Sequence, residues 1–181
     1  MDGETTTQTY RAEIVVRSLA PHGINERQRA IIEQIKAFHE RGVLEDVDIE
    51  VWGEEIRADP EMRTDAHDRY AAIESWADGH EYMLSPGFDR RERRSITANG
   101  IEEVISFPLI CLVLYAVGEG SKTDAVRAVF PCSDDEQTYT IVDGIEALSH
   151  RAALNEFRSA ETEIGDGSTN ADSQRPIIET L

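Results

Sequence analysis

Residues 90–131 constrain most strongly how this chain can fold. The segment turns at Asn99-Gly100, passes through the longest apolar run of the chain (107–117), and turns again at 118–120. Asn-Gly between two extended segments favours a hairpin, because both residues accept the positive φ angles of a type I′ turn. The segment therefore predicts the hydrophobic middle of an antiparallel sheet.

The residues before this segment show first a strand period, then a helix period, then a strand period again. Apolar residues alternate over 10–16, which predicts a strand with Glu13 on its outer, polar face. A helix follows, with Asn25 as the expected N-cap and Gly42 at its end. Residues 47–51 alternate again. Strand, helix and strand together predict a βαβ unit or its split form.

Two further helices are expected. Thr64 or Asp65 can cap the second, which Gly79 should end, and Asp143 can cap the third. The predicted fold class is α+β: a single domain with an antiparallel or mixed sheet and about three helices on one face. A ferredoxin-like fold with an added hairpin is one arrangement that would satisfy this pattern.

The predicted domain covers residues 9–158. A polar tail (1–8) precedes it, and an acidic segment (159–181) with few apolar residues follows, which predicts a disordered tail.

The charge balance points to an unusual solvent. The chain has 36 acidic and 18 basic residues, a formal net charge of −18, and its basic residues comprise two lysines and sixteen arginines. Such self-repulsion opposes folding in ordinary buffer, whereas the screening length falls to about 3 Å in 1 M salt. The composition therefore favours a protein of a salt-adapted archaeon over an acidic mesophilic protein. It also argues against a protein-wide basic footprint for nucleic acid.

Several functional classes lack their usual sequence features. The two cysteines are too few for a disulfide framework, and the five histidines show no metal-ligand spacing. The polar N-terminus does not resemble a signal peptide, and the longest apolar run is about half a membrane span. We expect a cytoplasmic protein with no membrane contact, no metal, no cofactor and no catalytic constellation.

Cys132 is the one candidate nucleophile. It follows Pro131 after a predicted strand and precedes Ser133 and two aspartates. A thiol acts as a nucleophile when a base lowers its pKa, but neighbouring carboxylates raise it. A small packed residue is the favoured interpretation, and a thiol site is the alternative.

Four arginines (Arg90, Arg91, Arg93 and Arg94) form the main candidate binding site. On a strand, Arg91 and Arg93 share one face while Arg90 and Arg94 share the other. Like charges side by side repel unless an anion or partner carboxylates lie between them. The cluster predicts either a contact with an anion, a nucleic acid or an acidic partner, or an edge strand protected by charge. The protected edge is the preferred interpretation.

Short patches spread over residues 10–150 carry a resemblance. They include Arg17-Ser18-Leu19, Val51-Trp52-Gly53, Trp76-Ala77, Pro131-Cys132-Ser133-Asp134 and Tyr139-Thr140. In this order they resemble a functionally uncharacterised haloarchaeal family often labelled helix-turn-helix domain protein. The resemblance implies a role in transcription and supplies no catalytic residues. The predicted elements do not fit that label well, because a strand and a long loop separate the first two helices.

Two functional hypotheses remain. The first is a non-enzymatic regulatory or interaction protein with a protein partner, a homodimer or DNA, in which the strand at 107–117 could form a dimer if it lies at a sheet edge. The second is a small-molecule-binding domain or a thiol-dependent enzyme that uses Cys132; the ligand is not identified by the sequence.

Overall fold

The computed structural model describes residues 9–18, 26–59, 63–94, 100–117 and 125–150. In chain order these residues form β1 (Thr9–Val16), α1 (Glu26–Glu40), β2 (Leu44–Val51), β3 (Glu55–Arg57), α2 (Asp65–Gly79), β4 (Asp89–Arg94), β5 (Ile101–Ser106), β6 (Ile110–Val117), β7 (Ala125–Phe130), β8 (Cys132–Ser133), β9 (Thr138–Tyr139) and α3 (Ile141–Ser149). The α+β prediction is confirmed.

The main sheet has the order β2-β1-β6-β7, with β1 parallel to β2 and antiparallel to β6. Helix α1 connects the two parallel strands and ends where Gly42 takes a φ of 71°, as expected of a helix-ending glycine. Because β1 and β2 are direct neighbours, the chain adopts the unsplit βαβ form. A ferredoxin-like sheet has the split form, with another strand between the two parallel strands.

Helices cover both faces of this sheet, which corrects the prediction of helices on one face. Helices α1 and α3 contact each other. Gly144 of α3 lies so close to Phe130 of β7 that a Cβ atom would be 2.7 Å from its ring. On the opposite face, Arg69 of α2 reaches Glu13 of β1. Two-sided cover makes the central strands buried on both faces.

The apolar run supplies the central strand β6. It pairs with β1 on one side and with β7 on the other, so its backbone hydrogen-bonding groups are used within the chain. The homodimer hypothesis required this strand to lie at an edge, and the sheet order therefore removes that basis for a dimer.

The predicted hairpin is confirmed as the antiparallel pair β4 and β5, but it belongs to a second sheet. That sheet has the order β3-β5-β4. The expectation of one antiparallel sheet through residues 90–131 is therefore wrong, because β4 and β5 form one sheet and β6 and β7 complete another. Strand β3 is short and pairs only with residues 104–106, so the outer end of the hairpin is a two-stranded ribbon.

Capping boxes begin two helices. Thr64 is the N-cap of α2, and its backbone N–H donates to Nδ1 of His67 over 3.2 Å. Thr140 is the N-cap of α3, where its N–H and its hydroxyl each donate to Oδ2 of Asp143 over 2.6 Å. Asp143 is thus the third helical residue and not the cap that the sequence predicted.

Some predictions fall on residues outside the described ranges. They are the tails 1–8 and 159–181, the N-cap Asn25, Asn99 of the first turn, and the second turn at 118–120.

Candidate functional site

The four arginines lie on β4, which forms one edge of the second sheet, and every residue of this strand is exposed. The strand pairs with β5 from Asp89 with Ser106 to Arg94 with Ile101. Successive side chains point to opposite faces, so Arg91 and Arg93 share one face, as predicted. The other two arginines share the face on which Ile105 is buried.

A carboxylate lies between the two arginines of the outer face. Glu55 of β3 accepts from Arg91 over 3.3 Å and also contacts Arg93. Glu102 of β5 bridges Arg93, over 3.4 Å, and Arg57, over 3.2 Å. Hydrogen bonding to Glu55 raises the pKa of the Arg93 guanidinium. The two carboxylates relieve the repulsion between the arginines and fix the spacing of their side chains.

Two arginines flank a buried hydrophobic residue. Val104 of β5 is on the outer face, directly opposite Arg57 on one neighbouring strand and Arg91 on the other, yet it is fully buried. Directly opposed residues have Cβ atoms about 4.5–5.5 Å apart, and arginine stems can cover apolar surface while their charged ends stay in water. The stems of Arg57 and Arg91 are therefore placed where they can shield this valine.

Arg90 joins the second sheet to α2. It donates to Glu74 over 2.7 Å, and its pKa is raised, mainly by a hydrogen bond with Tyr70. Arg94 differs from the other three, because it makes no ion pair among the described residues. Its partner across the ribbon is Ile101, whose exposed fraction is 72%. The ribbon end thus presents one guanidinium beside one apolar side chain.

Cys132 is a buried residue of β8 and pairs with Tyr139 of β9. Burial raises the pKa of its thiol to about 12, with smaller contributions from Asp134 and Asp143. The sequence also predicted a raised pKa for this thiol, from the neighbouring carboxylates, but the larger cause is its removal from water. At neutral pH the thiol is protonated, which disfavours a nucleophilic role. Cys111 is also buried, inside β6.

Asp134, two residues after Cys132, organises the turn between β8 and β9. Asp134 accepts from the backbone N–H groups of Glu136 (2.9 Å) and Gln137 (2.8 Å) and from the hydroxyl of Tyr139 (2.7 Å). The tyrosine hydrogen bond is the main reason why the pKa of Asp134 is lowered. Asp134 and Tyr139, which belong to two of the sequence patches that carry the family resemblance, therefore have a structural role in this turn.

Sequence reasoning missed a buried ion pair. Glu13, predicted on an outer polar face, is only 2% exposed. Its carboxylate contacts the guanidinium of Arg69 on α2 and accepts from the hydroxyl of Tyr115 over 2.7 Å. Arg69 also lies 3.6 Å from Glu50. Alternation gives the face of Glu13 but does not show that a helix covers that face.

Histidines and acidic residues form no cluster of three or more metal-ligating side chains within the described ranges.

His67 accepts from Thr64 at Nδ1, so its proton is on Nε2, which donates to the carbonyl of Arg57 over 2.7 Å. This histidine therefore takes part in the capping box at the start of α2. Among the helices that the structure describes, none is long and apolar enough to cross a membrane.

Comparison with known proteins gives one family. The model of a helix-turn-helix domain family matches residues 4–153. No curated protein and no solved structure matches the chain.

Proposed function

Because the chain belongs to this helix-turn-helix domain family, we propose that it is a regulatory protein of transcription whose β4–β5 hairpin contacts DNA. The main support for this proposal is the two-stranded ribbon that β4 and β5 form beyond the end of β3. Arg93, Arg94 and Ile101 lie on this ribbon, at an edge of the sheet. The major groove accepts a two-stranded β-ribbon as well as a helix.

The described helices favour the hairpin over a recognition helix. Helices α1 and α2 are separated by β2 and β3, and no short turn joins two helices in the ranges that the structure describes. Helix α2 has one arginine, Arg69, and four acidic residues, so its net negative charge repels phosphate. The acidic residues are Asp65, Asp68, Glu74 and Asp78. The hairpin is less acidic than α2, because the four arginines of β4 balance four carboxylates on β4 and β5 (Asp89, Glu92, Glu102 and Glu103).

Ion pairs within the chain do not prevent this contact. Arg91 and Arg93 are 55% and 44% exposed where they meet Glu55, and exposed pairs of this kind contribute about 0–1 kcal/mol each. Phosphate oxygens could replace the carboxylates at small cost, on side chains that are already held in position. Arginine also binds guanine through two parallel hydrogen bonds, which phosphate attraction alone cannot provide.

We further propose that the protein works in the cytoplasm of a salt-adapted archaeon. A net charge of −18 supports this, and sixteen arginines against two lysines suit the same setting. High salt weakens every phosphate contact, so recognition there depends more on base contacts and on apolar groups such as Ile101.

Chromatin immunoprecipitation of a tagged copy from its native host tests the proposal. We expect discrete enriched sites, and fluorescence anisotropy with those fragments should then give binding by the purified protein. A profile equal to that of an untagged strain would contradict a direct role on DNA and favour a protein partner.

Charge reversal locates the contact. Replacing both Arg91 and Arg93 by Glu should weaken binding and lower the salt dependence by about one unit of log–log slope per lost phosphate contact. Arg94→Glu should act in the same direction without breaking an ion pair among described residues. The matched control reverses Arg27 and Arg29, exposed on α1, with the same change of charge. Equal losses in both double variants would mean that net charge, not the hairpin, controls binding.

A further inference from the structure

A cleft of about 300 Å³ lies beside the second sheet, and neither hypothesis used it. Arg17 directly follows β1 and Glu54 lies shortly after β2, so the cleft is beyond the carboxyl ends of the two parallel strands. In doubly wound α/β sheets, ligands bind in the crevice outside such strand ends. This cleft has the same position relative to the one parallel pair of the main sheet.

Charged side chains of both signs line the cleft. Arg17 donates from Nε to the carbonyl of Phe107 over 2.8 Å and reaches the same oxygen with one terminal nitrogen, which fixes the guanidinium at the wall. Arg91, the second cation, is 3.3 Å from Glu55. Glu54 and Asp89 are exposed and make no ion pair within the described ranges. The lining thus has one carboxylate more than it has guanidinium groups.

A buried hydroxyl completes the cleft. Ser106 lies on β5 directly between Glu55 and Asp89, so its side chain points to the same face as theirs. Its oxygen is buried and has no hydrogen-bond partner among described residues. A buried hydroxyl without a partner is unfavourable by about 1–3 kcal/mol, and most such groups in proteins are satisfied. A ligand would reach this oxygen once the serine side chain turns toward the cleft, and the hydrogen bond would then remove the penalty.

We propose that this cleft binds a small zwitterion with an ammonium and a carboxylate group, of the size of a free amino acid. Glu54 and Asp89 receive the ammonium, Arg17 receives the carboxylate, and Ser106 hydrogen-bonds the ligand between them. The volume is at the lower end for small-molecule pockets, which suits such a ligand. This inference does not depend on the DNA contact.

Thermal melts of the full chain test the site, in KCl at a concentration where the protein is folded. The probes are glycine, L-serine, L-lysine and L-glutamate at millimolar concentration, with acetate and methylammonium as fragments of single charge. A bound zwitterion should raise the melting temperature, and the stabilisation should grow with the logarithm of ligand concentration once that concentration exceeds Kd. No shift with any amino acid, or an equal shift with acetate alone, would overturn the proposal.

Two variants separate binding from stability. Ser106→Ala should melt no lower than the wild type without ligand, because it removes an unsatisfied hydroxyl, yet bind about tenfold more weakly. Asp89→Asn should also weaken binding, whereas Glu45→Gln, an exposed change on β2, should not. Ligand shifts that both cleft variants leave unchanged would place any binding elsewhere and refute the assignment.

Discussion

Removal of the Arg69 guanidinium should severely destabilise the protein. The Glu13 side chain is 3% exposed, and Arg69 and the Tyr115 hydroxyl are its contacts from α2 and β6. Breaking a buried ion pair by deleting one partner costs about 3–5 kcal/mol. Because the Arg69 side chain is 37% exposed, water can partly replace it, so we expect a loss at the lower end, about 3 kcal/mol, for Arg69→Met. For a domain of this size that lowers the melting temperature by about 6–12 °C.

Urea unfolding at fixed KCl measures this effect, with Glu50→Gln as the control. Glu50 lies 3.6 Å from the same guanidinium but is 44% exposed, so its neutralisation should change stability by less than about 1 kcal/mol. A double variant, Glu13→Met with Arg69→Met, should recover most of the loss, since no buried charge remains. If the single variant loses under about 1 kcal/mol, or the double variant is no better, the buried pair does not stabilise α2 on the sheet as we argue.

Four other predictions concern the whole domain. Thermal melts between about 0.1 and 3 M KCl should show rising stability as salt screens the net charge of −18, and a flat or falling curve would contradict salt adaptation. Gly144→Ala should cost about 1–3 kcal/mol in urea unfolding because a Cβ would meet the Phe130 ring, whereas Gly79→Ala, with open space around it, should not destabilise. The pKa of Asp143 is lowered by its hydrogen bonds from Thr140, so its stabilisation is present above the ordinary pKa and lost as pH falls through the folded one; melts of Asp143→Asn and wild type should therefore converge in acid. Cys132→Ser should leave DNA binding unchanged, and native Cys132 should resist thiol reagents at pH 8; rapid labelling would reopen the thiol-enzyme alternative.

Local patterns predicted the elements well. Alternation located β1, Gly42 follows the end of α1, and Thr64 caps α2 as one of the two expected residues. These features depend on a residue and its near neighbours in sequence, so the sequence contains the required information. Sheet membership does not depend on such neighbours, which is why β4 and β5 were assigned to the wrong sheet.

The sequence predicted the surroundings of the arginine cluster only in part. The arginines were found because they are adjacent in sequence, and their division between two faces follows from the period of a strand. Glu55, Glu102 and Ser106 were missed because only the register of β3, β5 and β4 brings them beside the arginines. Glu13 was misplaced for a related reason: a period of two identifies a face but not what packs against it.

The burial of Val104 beneath arginine side chains has a consequence for how this surface can change. Its cross-strand neighbours on this face are Arg57 and Arg91, and Arg91 is also a candidate to bind a partner. A partner that draws Arg57 or Arg91 away would expose Val104 to water. The cost of that exposure would reduce the free energy gained on binding. Arg→Lys changes would thin this cover as well as lose the paired hydrogen bonds of the guanidinium. At this face, arginine in place of lysine would therefore also help to exclude water from Val104.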